Sequence, residues 1–138
     1  MSQAIENLQD AQQRALAGRP KVGGFPYLAE TLRRAGVRSI AWTLPSCQAL
    51  YLTQSGPVVS QATPLVSGLV DVPPFNQEAL IVALRTDQAG QSTFMEFLQA
   101  SWQAGVVGYD VDLLDRKVIY YGCNGEEYRE DYPAYSGD

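Results

Sequence analysis

A chain of 138 residues is the size of one ordinary domain, large enough to bury roughly two-thirds of the surface its unfolded form exposes. Its 46% hydrophobic and 18% charged content suits a water-soluble globular protein, and no apolar run approaches the roughly 20 residues that span a bilayer, so no membrane partner is expected. The net charge of −5 divides unevenly, with six Lys/Arg against three Asp/Glu over 1–69 and four against twelve over 70–138. The concentrated basic face that nucleic acid requires is missing.

The first helix is expected from about Gln3 to Ala17, because Ile5, Leu8, Ala11, Ala15 and Leu16 fall on one stripe before Gly18 and Pro20 stop it. Nothing in this stretch reads as a secretion signal, which would need a basic start and an apolar run. A second helix starts near Pro26, turns Leu28, Leu32 and Ala35 inward and ends at Gly36, with Arg33, Arg34 and Arg38 as helix-end cations. Then the period changes to two. Strands follow at Val37 to Leu44, Ala49 to Thr53 and about Val58 to Ser60, turning at Pro45-Ser46 and Ser55-Gly56-Pro57. Residues 61–74 join two halves, and Leu65, Val66, Leu69 and Val72 predict that the join packs on the domain.

The programme then repeats. A helix over Phe75 to Thr86 is followed by one opened by a Thr93 and Glu96 capping box, with Phe97, Leu98 and Trp102 inward and Gly105 as the stop. Strands follow at about Val107–Leu113, Lys117–Gly122 and Glu126–Glu130, with a tight turn at Asn124-Gly125. A shift of 69 places Phe25 on Phe94, Ala35-Gly36-Val37 on Ala104-Gly105-Val106, Leu44 on Leu113, Tyr51 on Tyr120 and Gly56 on Gly125. The expected fold class is α+β: one domain over 1–138 built from two α-α-β-β-β repeats, about 1–69 and 70–138. A pseudo-twofold axis relates them, with helices on one side of an antiparallel sheet. Ile40, Trp42 and Leu44, like Tyr109, Val111 and Leu113, point inward, and Ala41, Thr43, Asp110 and Asp112 point outward. The second strand of each half has large apolar groups on both faces, as the middle of a three-strand meander should.

Phe25-Pro26-Tyr27, Leu32 with Ala35-Gly36-Val37, Ala104-Gly105-Val106 with Tyr109 and Val111-Asp112-Leu113, and Tyr120-Tyr121 with Asn124-Gly125-Glu126 give the chain a family likeness. Over roughly Lys21 to Pro133 it resembles the YbcV-like family of uncharacterised bacterial proteins, some of which carry the label "phage envelope protein". The resemblance implies an α+β domain and transfers no activity, cofactor or catalytic residue. Pro45-Ser46-Cys47-Gln48 departs from it, being less polar than expected between the first two strands.

The chain contains no histidine, which removes His-dependent nucleophile pairs, most catalytic zinc sites and the commonest general base near neutral pH. No phosphate-cradling loop appears, since Gly18 to Gly24 has no strand before it. No cofactor is expected. Asp110, Asp112 and Asp115 are the strongest polar candidates, because two carboxylates two apart on a strand share a face; the competing account is a solvated strand edge. Cys47 and Cys123 read as unpaired thiols in a reducing compartment, hence a cytoplasmic location. Tyr109, Tyr120, Tyr121, Tyr128, Tyr132 and Tyr135 crowd the second half, and Tyr128, Tyr132 and Tyr135 lie among carboxylates in a pattern suited to docking a partner. The alternative is an ordinary acidic tail, mobile beyond Pro133.

These features favour a small non-enzymatic interaction or binding domain with a protein partner or self-association, its binding residues Asp110, Asp112, Tyr121 and Tyr128. One alternative is a sensor or enzyme with a pocket between the repeats, using Asp112 and Tyr121. Another is a phage-derived structural component.

Overall fold

The computed structural model describes residues 2–22 and 24–135. Its elements run α1 (Gln3–Gly18), α2 (Gly24–Arg34), β1 (Val37–Thr43), β2 (Gln48–Thr53), β3 (Gly56–Gln61), α3 (Gln77–Gln88), α4 (Phe94–Gln103), β4 (Gly108–Asp112), β5 (Lys117–Tyr121) and β6 (Glu127–Asp131). The order is α-α-β-β-β twice over. All six strands form one antiparallel sheet in the order β3-β2-β1-β4-β5-β6, so the two meanders join through their first strands. β2 and β5 occupy the middle of each half, which puts Tyr51 and Tyr120 in matching places, both buried.

Local chemistry explains the boundaries. Ser2 caps α1, its hydroxyl accepting from the Ile5 N–H. Thr93 and Glu96 make the expected reciprocal capping box at α4. α3 starts two residues later than the sequence suggests, because the Asn76 side chain accepts from the Ala79 N–H and so sets the first turn. The β1–β2 and β4–β5 hairpins each carry one non-glycine residue in the left-handed region, Cys47 (φ 54°) and Arg116 (φ 56°), again 69 positions apart. The short, weakly polar Pro45-Ser46-Cys47 turn therefore closes in the same way as its counterpart.

The helices lie on one face, over a core contributed by both halves: Leu32, Leu44 and Ala49 from the first, Leu80, Leu98 and Leu113 from the second. Removing one such leucine side chain costs about 2–5 kcal/mol. Among the described residues, no helix lies on the outer face. Ala41 and Asp110 are exposed there as expected, but so are Leu50 and Leu52, which a middle strand buried on both faces would have hidden. In the join, Leu65 and Val66 pack against the core, whereas Leu69 is fully exposed and Val72 is 42% exposed. The segment thus packs at Leu65 and Val66, swings out at Leu69 and returns to the domain at Pro73, which is half-buried.

Candidate functional site

The sheet register produces an aromatic row. Trp42 lies opposite Tyr109, Tyr109 opposite Tyr120 and Tyr120 opposite Tyr128, so four rings cross β1, β4, β5 and β6 on the helix-covered face. Successive ring centroids are 6.1, 5.3 and 6.3 Å apart. Directly opposed residues on one face are close enough for rings to touch, which makes the row a consequence of register. Phe97 of α4 meets Tyr109 edge-on, and Phe94 meets Trp42 at 5.2 Å.

Above this row lies a cavity of about 370 Å³, within the range of small-molecule sites. α1 packs on α2 and α3 on α4, and the cavity takes lining from all four helices and from five strands. α2 contributes Phe25, Leu28, Ala29 and Leu32, and the sheet contributes Ile40, Val111 and Val118 beside the aromatic row. Matching positions of the two halves face it together, Phe25 with Phe94 and Tyr51 with Tyr120. Leu16 and Phe94, exposed by 73% and 41%, stand at the rim.

The polar groups of the cavity are few. Tyr51 accepts from Gln12 Nε2 at 3.4 Å. Tyr109 and Tyr120, exposed by only 5% and 6%, line the cavity, and their hydroxyls have no hydrogen-bond partner among the described residues. Burial holds both phenols protonated well past the ordinary tyrosine range. Asp87, in the last turn of α3, accepts from Ser92 Oγ at 3.3 Å and lies within the field of Arg19. Burial pushes its carboxyl up from the ordinary aspartate value, with Ser92 and Arg19 pulling the other way. Glu130 is fully engaged by Arg85, Gln88 and Tyr128.

None of the four residues expected to bind lines this cavity. Asp110 lies on the uncovered face, where its carboxylate accepts from the Tyr121 hydroxyl at 2.9 Å. Asp112 accepts from the Leu114 and Asp115 N–H groups at 3.0 Å each, a turn-closing role in the β4–β5 hairpin. Tyr128 ends the aromatic row and donates to Glu130. Asp112 and Tyr121 are therefore not the polar groups of the pocket between the halves. The tyrosine-rich end folds back on the first half, Tyr132 meeting Phe25 and Tyr135 meeting Tyr27 edge-on at 4.9 and 5.0 Å. Residues 136–138 of the expected mobile tail lie outside the described residues.

Sequence reasoning missed Asp87, Arg19 and Gln12 as site residues, since each is an ordinary polar residue on its own helix or helix end. The available signal was Asp87 itself, a carboxylate at the negative end of a helix, where cations are favoured. Among the described residues no cluster of His, Cys, Asp and Glu suits a metal ion, and no helix is long and apolar enough to cross a membrane.

Comparison with known proteins returns relatives of undetermined role. Three mycobacterial proteins, uncharacterized protein Mb2035 of Mycobacterium bovis and uncharacterized proteins MT2067 and Rv2012 of two Mycobacterium tuberculosis strains, are each 54% identical over 134 residues, spanning 97% of this chain and 82% of theirs. Residues 13–130 match the family described as protein of unknown function (DUF1398). With the match covering most of the sheet and all or part of each helix, the chain belongs to the DUF1398 family.

Proposed function

We propose that the protein binds a small organic molecule in the cavity between its two helix pairs, as a carrier or sensor and not as a catalyst. The observation that carries this reading is the pair of unpartnered hydroxyls, Tyr109 and Tyr120, held at an aromatic-walled cavity. Each hydroxyl reaches the cavity with no protein partner among the described residues, which leaves it free to hydrogen-bond a ligand's polar group. The chain has no histidine, and the one hydroxyl on the cavity's loosely held carboxylate, Ser92 on Asp87, has no second base to activate it. Duplication of an α-α-β-β-β unit accounts for the site's position: two like halves meeting at β1 and β4 leave the space between their helix pairs. A cytoplasmic location fits the two free thiols, Cys47 and Cys123, and the YbcV-like likeness belongs to the same reading.

The test is occupancy. A fluorescent apolar probe such as 1-anilinonaphthalene-8-sulfonate or Nile red is expected to bind the native protein one to one. Leu28→Trp, which fills the cavity from α2, is expected to abolish binding with the circular dichroism spectrum unchanged. Equal binding by the folded filled variant rejects the cavity as the site.

Self-association is the second reading, and the uncovered face favours it. Leu50 lies directly opposite Val59 there, exposed by 38% and 57%, with Leu52 beside them at 43%. Sedimentation equilibrium before and after Leu52→Glu decides it: a dimer that the charge dissociates supports the contact, and a monomer at high concentration removes it.

A further inference from the structure

We propose that the cavity's ligand is an organic amine with an aromatic body, its ammonium group taken by Asp87 and by the oxygens of Tyr109 and Tyr120. This rests on the cavity being a binding site and adds the chemical class of what it holds.

Charge is the first support. Asp87, Glu130 and Asp131 line the cavity against a single cation, Arg19, and the one neighbouring cation that pairs with them, Arg85, is already committed to Glu130. The remaining balance is negative, and an anion would enter against it. Asp87 is the one of the three that is half-buried without an ion pair among the described residues; the one hydrogen bond to its carboxylate among them is a 3.3 Å contact from a serine hydroxyl. Its position in the last turn of α3 sets it against the helix dipole, which favours a cation there. A carboxylate placed where both burial and the local field oppose its charge is stabilised by an incoming cation more than an exposed one would be.

The walls are the second support. Trp42, Tyr109 and Phe97 line the same space, and aromatic rings attract cations as well as flat apolar bodies. The Tyr109 and Tyr120 oxygens each have lone pairs that no described group uses, and an ammonium has three N–H donors to share between them and Asp87. All three groups line the same cavity, and the Asp87 charge is among the smaller influences, after burial, that raise both phenols. The cavity's size suits a body of one or two fused rings.

Three compounds of similar shape and different charge make the test: tryptamine, its uncharged analogue tryptophol, and the anion indole-3-propionate, titrated calorimetrically at neutral pH. Tryptamine is expected to bind about tenfold or more tightly than the other two, as a charge-assisted hydrogen bond to a partly buried carboxylate implies. Asp87→Asn is expected to bring tryptamine down to the level of tryptophol, while tryptophol binding stays unchanged and shows that the pocket is intact. Equal or tighter binding of tryptophol or indole-3-propionate overturns the amine assignment and leaves the cavity as a binding site. Failure of all three to bind, together with loss of probe binding in the occupancy test, removes the site and the assignment with it.

Discussion

Ala41 and Asp110 stand directly opposite each other across the β1–β4 pair, although 69 positions separate them in the chain. That separation equals the interval read from the sequence, and the pair lies at the centre of the sheet, where the two meanders join. It also fixes the sides: what projects outward here, the Asp110 carboxylate and its Tyr121 partner, is a sheet's thickness away from the cavity.

Asp110→Asn and Tyr121→Phe are therefore expected to leave cavity binding unchanged. Each should alter stability by under about 1 kcal/mol, since the bond they share is exposed. Titration of the two variants with the same fluorescent probe, alongside urea unfolding, checks both halves of this expectation. A tenfold loss of binding in either would mean that the outer face communicates with the cavity.

Gly36 and Gly105 end the second helix of each half in the left-handed region, at φ 98° and 85°, but their surroundings differ. A Cβ at Gly36 would meet Gln54 side-chain atoms no closer than 3.4 Å, whereas one at Gly105 would lie 2.5 Å from the Phe75 Cα. Gly36→Ala is expected to cost about 1–2 kcal/mol, the conformational penalty alone. Gly105→Ala is expected to cost more than about 3 kcal/mol, because backbone must move. Chemical denaturation of the two variants side by side would refute this if their losses were equal.

Arg116 adopts φ 56° with an exposed side chain, so its left-handed backbone has little to offset it. Arg116→Gly is expected to stabilise the protein by about 0.5–1 kcal/mol, the relief of strain less the added freedom of the unfolded chain. Cys47→Gly relieves the same backbone but empties a buried position, so it is expected to gain less or to lose. Thermal melts of the pair would contradict the account if Cys47→Gly were the more stable.

Glu30 bridges Arg33 and Arg34 on α2, and the Arg33 hydrogen bond, aided by Arg34, lowers its carboxyl from 4.5 to about 2. A carboxylate whose folded value lies below its unfolded value stabilises the fold above the unfolded value and loses that contribution as pH falls through the folded one. The stabilisation is thus complete above about pH 5 and is lost between roughly pH 4.5 and 2. Both arginines are substantially exposed, at 41% and 69%, so the amount is under about 1 kcal/mol. Urea midpoints of the wild type and Glu30→Gln should differ at pH 6 and converge toward pH 2; a gap that widens in acid would reverse the sign.

Most of the fold was legible because its signals are local. The period-two alternation of β1 and β4, the Thr93–Glu96 box and the glycine stops each act within a few residues, and each matches an observed element. The α-α-β-β-β order, met twice, needed only one-dimensional comparison. The site was illegible for the opposite reason. Asp87, Gln12 and Tyr120 come together only after α1, α3 and β5 have packed, and no spacing along the chain encodes that meeting. Strand alternation paired Asp110 with Asp112 on one face, but the Asp112 carboxylate is used by its own turn. Tyr132 and Tyr135, set among acids, lie edge-on against Phe25 and Tyr27 of the first half, contacts that no spacing along the chain encodes.

The way the halves are joined has a practical meaning. What holds them is the β1–β4 ladder and a shared interior, whereas the covalent link runs through an exposed tip at Gly68 and Leu69 that supports neither. A protease cut at that tip would leave two complete meanders, each with its own helix pair and its own central edge waiting for the other. The molecule thus has the layout of a complementing fragment pair.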